Sequence, residues 1–270
     1  TAMMRHNKLA LTKTFAKLYQ KQPIKIIGYG DSITAQGDGW GDSALIAGGN
    51  RDRAYILEHI PQDTIASQIT LYDGTDKDFL GSPYKDHVKI GWNWILKATL
   101  EQVYGVDVTY HNRGIGGTVS GTRDYGGGMY GGLYPARLNA MLDGGGDLLV
   151  LAFGMNELGS NQIYDNCRAI IEQFKARTGG DVVVMTTPQI NKWGIVTEKL
   201  EWQYTHDELV RCALDTNSAF ISNWLLESDD FAGNNRLSQQ NMCNDNVYNH
   251  PTHFQMKHIG NMLSLIFKPA

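Results

Sequence analysis

The chain has 270 residues, of which 42% are hydrophobic and 19% charged, and its formal net charge is −4. This length allows one large domain or two small ones, and we expect a single domain over 1–270. No apolar run approaches the roughly 18 residues of a membrane span. No Lys/Arg run provides the electrostatic footprint of a nucleic-acid or anionic-membrane partner. The composition therefore predicts a water-soluble protein that binds neither nucleic acid nor membrane.

The beginning of the chain, TAMMRHNKLALTKTFAKLYQ, lacks the apolar core of a signal peptide. Export by that route is not expected from this sequence, and the localisation stays open, with extracellular and virion-associated sites both compatible. Both ends look trimmed, which is compatible with a module of a longer, oligomeric protein.

The predicted elements alternate along the chain between short apolar runs and longer segments of helical periodicity. Strands are predicted at 24–29, 106–110, 148–153, 182–186 and 219–222, and helices at about 8–20, 90–104, 135–142, 161–177, 196–215 and 253–267. Such alternation is typical of βαβ units around a parallel sheet. We therefore predict an α/β protein, a three-layer α/β/α sandwich with a five-stranded parallel sheet.

Two stretches interrupt this alternation. Residues 37–89 form a long insertion after the first strand, with weak strand signals at 65–72, and GTRDYGGGMYGGLY at 121–134 is a glycine-rich loop. Long loops in compact α/β domains are uncommon unless they have a function, so we expect substrate recognition here. A surface elaboration without a role in binding is the alternative.

The cysteines Cys167, Cys212 and Cys243 are odd in number and widely spaced. This spacing favours buried small side chains over a disulfide framework or a zinc site.

Polar motifs follow three of the predicted strands, where parallel sheets bind their ligands. They are Gly30-Asp31-Ser32, then 112–117 (NRGIGG), then 154–157 (GMNE), and a His250-Pro251 pair lies near the end of the chain. Gly-Asp-Ser alone is also a common turn sequence. The set of motifs, more than any one of them, predicts a ligand site at the carboxyl edge of the sheet.

Better-known fingerprints fail at the same places. A dinucleotide-binding G-x-G-x-x-G has Val119 or Ile33 where its last glycine belongs, and no Walker A sequence is present. The nucleophile-elbow pattern G-x-S-x-G does not match, because Thr34 stands at the position of its second glycine. This mismatch argues against an α/β-hydrolase.

The ordered motifs resemble the four sequence blocks of the GDSL or SGNH hydrolases over roughly 24–260. The resemblance implies a flavodoxin-like serine esterase fold in which Ser32 is the nucleophile and Gly30 turns the chain sharply to expose its Oγ. The Ser32 N–H, the Gly117 N–H and the Asn156 side-chain amide would form the oxyanion hole. It implies no metal and no organic cofactor.

The catalytic base implied by the resemblance is His250 of the His-Pro pair. Thr252 and Gln255 fit a capping box that would start the last helix at His253 and leave His250 on the preceding loop. His253 and His258 would then lie on the helix, where surface or packing roles are the usual ones.

The triad acid is missing from its usual position three residues before the histidine, which is Val247 here. Asp245 is the nearest carboxylate and reaches Nδ1 if the loop bulges. The alternatives are a dyad without an acid and a catalytically degenerate carbohydrate-binding module.

The other polar residues of the motifs are expected to be structural. Asp31 and Glu157 would accept hydrogen bonds from loop amides, and Asn112 and Gly114 would shape the turn of the second motif.

The GDSL or SGNH hydrolases act on lipid, thioester and carbohydrate esters, so the resemblance does not predict the substrate. The amino-acid composition of the loops gives some indication of it. The insertion and the glycine-rich loop supply aromatic and polar groups suited to sugars, among them Trp40, Asp124, Tyr125 and Tyr130. No apolar stripe suggests a lipid-binding lid. We predict removal of a small acyl group, acetyl foremost, from a polysaccharide; ordinary packing is the alternative role of these aromatics, and a lysophospholipase or thioesterase is the alternative enzyme.

The segment LALTKTFAKLYQKQPIKIIGYGDSIT is also similar to esterase modules of bacteriophage tail spikes.

Overall fold

The computed structural model describes residues 2–35, 70–71, 88–89, 92–115, 117–123, 131–157, 160–188, 198–223 and 253–269. Their elements, in chain order, are α1 (Ala2–Ala10), α2 (Thr12–Tyr19), β1 (Ile24–Gly30), α3 (Ser32–Ala35), β2 (Thr70–Leu71), β3 (Val88–Lys89), α4 (Trp92–Tyr104), β4 (Val108–Gly114), α5 (Pro135–Asp143), β5 (Leu148–Ala152), α6 (Ile163–Thr178), β6 (Asp181–Met185), α7 (Glu198–Asp215), β7 (Ala219–Ile221) and α8 (His253–Leu265).

The main sheet has five parallel strands in the order β4-β1-β5-β6-β7. Counted along the chain, the order is 2-1-3-4-5, as in flavodoxin-like folds. The chain changes direction across the sheet after β4, which leaves β1 flanked by β4 and β5. This confirms the predicted α/β fold with a five-stranded parallel sheet.

Alternate residues of the strands face two separate cores, one on each side of the sheet. Ile24 and Ile26 of β1 belong to the core covered by α2, α4 and α8, whereas Ile27 and Tyr29 belong to the core covered by α5, α6 and α7. Because both faces are covered, the central strands are apolar at nearly every position. The predicted three layers are present.

Two elements differ from the prediction by more than two residues. Where one helix was predicted at 8–20, the structure has two that begin at Ala2 and Thr12, because Leu11 between them has non-helical angles of φ −112° and ψ 27° and is fully buried. The strand predicted at 106–110 continues to Gly114, since Asn112, Arg113 and Gly114 pair in register with β1. These three residues therefore end a strand and do not form a loop after it.

The long insertion contributes one small antiparallel pair to the described structure, Thr70 with Lys89 and Leu71 with Val88. The predicted strand signal at 65–72 is thus confirmed at 70–71. The remainder of 37–89, and 124–130 of the glycine-rich loop, lie outside the described residues.

Cys167 and Cys212 are buried free thiols, as predicted, and Cys243 lies outside the described residues. Within the described ranges, no helix is both long and apolar enough to cross a membrane.

Candidate active site

Three predicted site segments leave the sheet at one edge. Gly30, the last residue of β1, pairs with Gly114 of β4 on one side and with Ala152 of β5 on the other. The chain continues from these strand ends into the segments that carry Ser32, Gly117 and Asn156. The register of three adjacent strands therefore gathers the three motifs at the carboxyl edge of the sheet.

Ser32 is the first residue of the short helix α3 and is only 5% exposed. The residue as a whole is therefore buried, whereas the sequence predicted an exposed Oγ on a sharp turn. Gly30 is needed for a different reason from the predicted one. A Cβ on Gly30 would lie 2.2 Å from the Ala152 carbonyl oxygen and 2.3 Å from Thr34 Oγ1, so only glycine allows β1 to approach β5 there.

Asp31, directly before Ser32, is fully buried, and its Oδ1 accepts a hydrogen bond of 2.9 Å from the Ile33 N–H. Burial is the main cause that raises the pKa of Asp31 to about 8, and the nearby Glu157 carboxyl adds to it. The Ile33 N–H and the Arg137 guanidinium act in the opposite direction. Near neutral pH this carboxyl is therefore mostly protonated.

Gly117 has φ +72°, a left-handed conformation that favours glycine, and no described atom lies within 4 Å of the place where a Cβ would stand. The next residue ties this turn to the sheet. Thr118 Oγ1 donates to the Ile115 carbonyl at 2.8 Å and to the Gly30 carbonyl at 3.5 Å.

Asn156 and Glu157 connect the second and third motifs. Asn156 Nδ2 donates to the Thr118 carbonyl at 2.8 Å, which leaves its second amide hydrogen for another acceptor. Glu157 accepts hydrogen bonds from the Ser120 N–H and, at 3.0 Å, from the Gly154 N–H. The predicted structural role of Glu157 is confirmed, and burial raises the pKa of its carboxyl.

Asn112 stabilises the end of β4, whereas the sequence predicted that it shapes a turn. Its Oδ1 accepts a hydrogen bond of 2.9 Å from the Gly114 N–H, and its Nδ2 donates to the Thr34 carbonyl at 3.0 Å. The asparagine side chain thus joins β4 to the helix that begins with Ser32.

Arg137 is a buried residue of this edge that the sequence motifs did not reveal. Its guanidinium donates to the carbonyls of Gly30 and Arg113, at 2.5 and 3.0 Å. One signal was available in the sequence. Arg137 precedes Met141 by four residues on α5, so it lies on the apolar face of that helix, where a charged residue is unusual.

A second serine with a histidine partner follows β7, at the far side of the sheet from β4. Ser222 Oγ is 3.1 Å from His206 Nε2, and His206 Nδ1 is 3.1 Å from Asp207 Oδ1. Asp207 is exposed at the surface. Ser222 matches none of the motifs, but it is a useful control for experiments on Ser32.

The remaining predicted site residues lie outside the described residues, so their roles stay predictions: His250, Asp245, Trp40, Asp124, Tyr125 and Tyr130. No group of three or more His, Cys, Asp or Glu side chains within the described ranges could hold a metal ion.

Neither a protein-family model nor a curated protein sequence matches this chain. Solved structures do match its fold. An acetylxylan esterase, Axe2 of Geobacillus stearothermophilus, aligns with 92% of this chain and 95% of its own, with a TM-score of 0.57 and 14% identity. A two-domain esterase active on acetylated mannans, CEX, aligns with 98% of this chain but 56% of its own, with a TM-score of 0.59 and 14% identity.

A third neighbour is LAE5, described as an alpha/beta hydrolase enzyme from the metagenome of Lake Arreo, Spain. It aligns with 90% of this chain and 94% of its own, with a TM-score of 0.54 and 14% identity. At such identities the likeness is one of fold. The chain thus has an α/β fold similar to that of several esterases.

Proposed function

We propose that this chain is a serine esterase that removes small acyl groups, acetyl foremost, from the hydroxyls of a polysaccharide. The observation that supports this most is the pairing of Gly30 with both Gly114 and Ala152, which brings the Ser32, Gly117 and Asn156 segments to one edge of the sheet. Two neighbours in fold are named as esterases of acetylated xylan and mannan.

In the proposed reaction, Ser32 Oγ attacks the carbonyl carbon of the ester and transfers its proton to His250. The Ser32 N–H, the Gly117 N–H and the Asn156 amide hold the oxyanion of the tetrahedral intermediate. The intermediate collapses, the imidazolium gives its proton to the departing sugar hydroxyl, and an acyl-serine remains. Water, deprotonated by His250, then attacks the acyl carbon, the bond between that carbon and Ser32 Oγ breaks, and the imidazolium returns its proton to Oγ as the acid leaves.

Asp245 is the proposed orienting acid of His250, with the dyad as its alternative. The acid stabilises the imidazolium and does not attack the substrate, so either arrangement serves the same reaction. The SGNH assignment rests on the sequence motifs, and the resemblance to tail-spike modules stays a prediction.

A fluorophosphonate probe tests this proposal because it labels only activated serines. Wild-type protein should label and should hydrolyse p-nitrophenyl acetate, and Ser32→Ala should abolish both. Ser222→Ala is the matched control, since Ser222 Oγ lies 3.1 Å from His206 Nε2. Its labelling and turnover should equal those of the wild type.

Labelling that persists in Ser32→Ala and disappears in Ser222→Ala would contradict the proposal. It would show that the nucleophile is Ser222, beside the edge strand β7. The alternative is a degenerate carbohydrate-binding module, since Val247 occupies the usual position of the triad acid. It would be supported if folded wild-type protein neither labels nor hydrolyses ester but binds acetylated glycans.

A further inference from the structure

Arg137 joins the ends of two neighbouring strands at the candidate active site. Its side chain is 1% exposed and reaches from α5 to the carboxyl edge of the sheet. One guanidinium nitrogen, Nη2, donates to the carbonyl of Gly30 in β1 and to that of Arg113 in β4. Gly30 is the last residue of β1 and Arg113 the second-last residue of β4, and Ser32 and Gly117 follow them by two and four residues.

Aromatic rings from β1 and from the residue after β5 also contact the Arg137 guanidinium. The guanidinium carbon is 4.5 Å from the centroid of the Tyr29 ring in β1 and 5.5 Å from that of Phe153, the residue after β5. Tyr29 in turn donates from its hydroxyl to the Gly132 carbonyl at 2.7 Å. The ends of β4, β1 and β5 therefore all contact one buried cation.

Ionisable groups of the same motifs act on Arg137. Burial lowers the pKa of its guanidinium, and this shift is opposed by Tyr29, by Asp31, which precedes Ser32, and by Glu157, which follows Asn156. Glu157 also holds the amides of Ser120 and Gly154. Arg137 thus contacts a residue shortly before each of the three segments that carry the proposed oxyanion donors.

Stability alone gives a weak reason for such a residue. Replacing buried ionic groups with apolar side chains of similar volume is often neutral or stabilising, whereas such groups are retained in some proteins because they define one geometry. A guanidinium is suited to this because its donors are rigid and planar. An oxyanion hole requires geometry of this quality, since small displacements of catalytic groups cost large factors in rate.

We propose that Arg137 is a positioning residue of the esterase site, which holds the ends of β1 and β4 at the separation at which the Ser32, Gly117 and Asn156 donors converge on one oxyanion. This inference rests on the proposed function. Arg137 acts through Gly30 and Arg113 and does not itself contact the reacting atoms.

The test compares Arg137→Met and Arg137→Lys with the wild type, using active-site titration by the fluorophosphonate probe to count competent serines. Loss of one oxyanion donor lowers kcat about 10²-fold to 10³-fold, and mispositioning should approach the lower value. We expect kcat per titrated serine for p-nitrophenyl acetate to fall about 10²-fold in Arg137→Met, with KM changed less than about threefold.

Phenylboronic acid provides a second readout, because it forms a tetrahedral adduct with an activated serine. Its affinity should fall by about the same factor as kcat/KM, since both report the oxyanion geometry. Arg137→Lys should recover little of either, because an ammonium cannot reproduce the planar donors. Arg168→Met, which removes an exposed arginine paired with Glu172 on α6, is the matched control and should behave as wild type.

A kcat per titrated serine within about threefold of wild type in either folded Arg137 variant overturns the proposal. Failure of both variants to fold overturns it as well, by assigning Arg137 to folding. If the wild-type protein neither labels nor turns over ester, the proposed esterase function is wrong. The positioning role of Arg137 is then wrong as well, because it rests on that function.

Discussion

At the scale of single residues, Asp31 shows how burial changes the chemistry of a common side chain. It stands in a Gly-Asp-Ser sequence that reads as an ordinary turn, and its Oδ1 does accept the Ile33 amide of such a turn. Complete burial raises the pKa of the Asp31 carboxyl to about 8. The carboxyl next to the candidate nucleophile is therefore mainly neutral at pH 7, which would keep a negative charge away from the proposed oxyanion.

Asp31 should make the stability of the protein depend on pH. Its ordinary pKa is 3.8 and its folded pKa is about 8, so the folded protein binds a proton that the unfolded chain releases. The contribution of the neutral carboxyl is complete below about pH 4 and is lost as the pH rises to about 8. Asp31→Asn keeps the acceptor for the Ile33 amide without an ionisable group. The Tm of Asp31→Asn relative to wild type should therefore rise between about pH 4 and pH 8, as measured by thermal unfolding.

Asp107→Asn is the control, because Asp107 is exposed and belongs to no motif. Its Tm should follow the wild-type curve at every pH. A constant difference in Tm between Asp31→Asn and the wild type would contradict the raised pKa of Asp31.

At the scale of elements, α1 covers the end of the sheet. Asn7, a buried residue of α1, donates from Nδ2 to the Phe220 carbonyl at 2.9 Å and accepts at Oδ1 from the Phe220 N–H at 2.8 Å. The side-chain amide thus pairs with β7 as a neighbouring strand would. His6 Nε2 lies 2.9 Å from the Ser218 carbonyl and adds a second contact. Exposed strand edges promote aggregation, so this helix also protects the last strand of the described sheet.

Asn7→Ala should destabilise the protein, because it leaves a buried N–H and a buried C=O of Phe220 without these partners. An orphaned buried group costs about 1 to 3 kcal/mol, so the free energy of unfolding should fall by about 2 kcal/mol or more. Urea unfolding measures this. Leu9→Ala, on the exposed side of the same helix, is the control and should stay within about 0.5 kcal/mol of wild type. A loss of unfolding free energy as small as that of Leu9→Ala would contradict a stabilising role for the hydrogen bonds between Asn7 and β7.

At the scale of the whole molecule, the two ends of the sheet differ in what they can bind. A cavity of about 470 Å³ opens at the amino ends of the strands, where Lys25 and Asp147 are among its lining residues. The site motifs are at the opposite, carboxyl edge. Near that edge, the side chains of Ile33, Phe153 and Met155 are each at most 1% exposed.

The proposed substrate carries a short acyl group, acetyl foremost. If that proposal is right, the rate should fall as the acyl chain lengthens. We expect kcat/KM for p-nitrophenyl acetate to exceed that for the octanoate and the palmitate. Ser32→Ala, measured with each ester, removes the background.

Acetate release from acetylated xylan and acetylated mannan extends the same measurement to polysaccharides. A kcat/KM that climbs with chain length would favour the lysophospholipase or thioesterase alternative and leave the serine mechanism intact.

The sequence by itself determined the elements and the positions of the motifs. Apolar runs predicted all five strands of the main sheet, and the T-x-x-Q pattern predicted the start of α8 at His253, because periodicity and capping depend on residues close together in the chain. The motifs after the strands were visible for the same reason. Parallel pairing then makes it a geometric necessity that they meet at one edge.

Only the tertiary structure decided how that edge is built. Gly30 proved necessary for the approach of β5, Ser32 proved nearly buried, and Asp31 acquired a raised pKa, since all three depend on neighbours from other strands. The helical pattern marks Arg137 as unusual but does not connect it with the site, because its partner Gly30 is 107 positions away in the sequence. Burial and electrostatics are set by the packing of distant segments, and local sequence patterns carry no direct record of them.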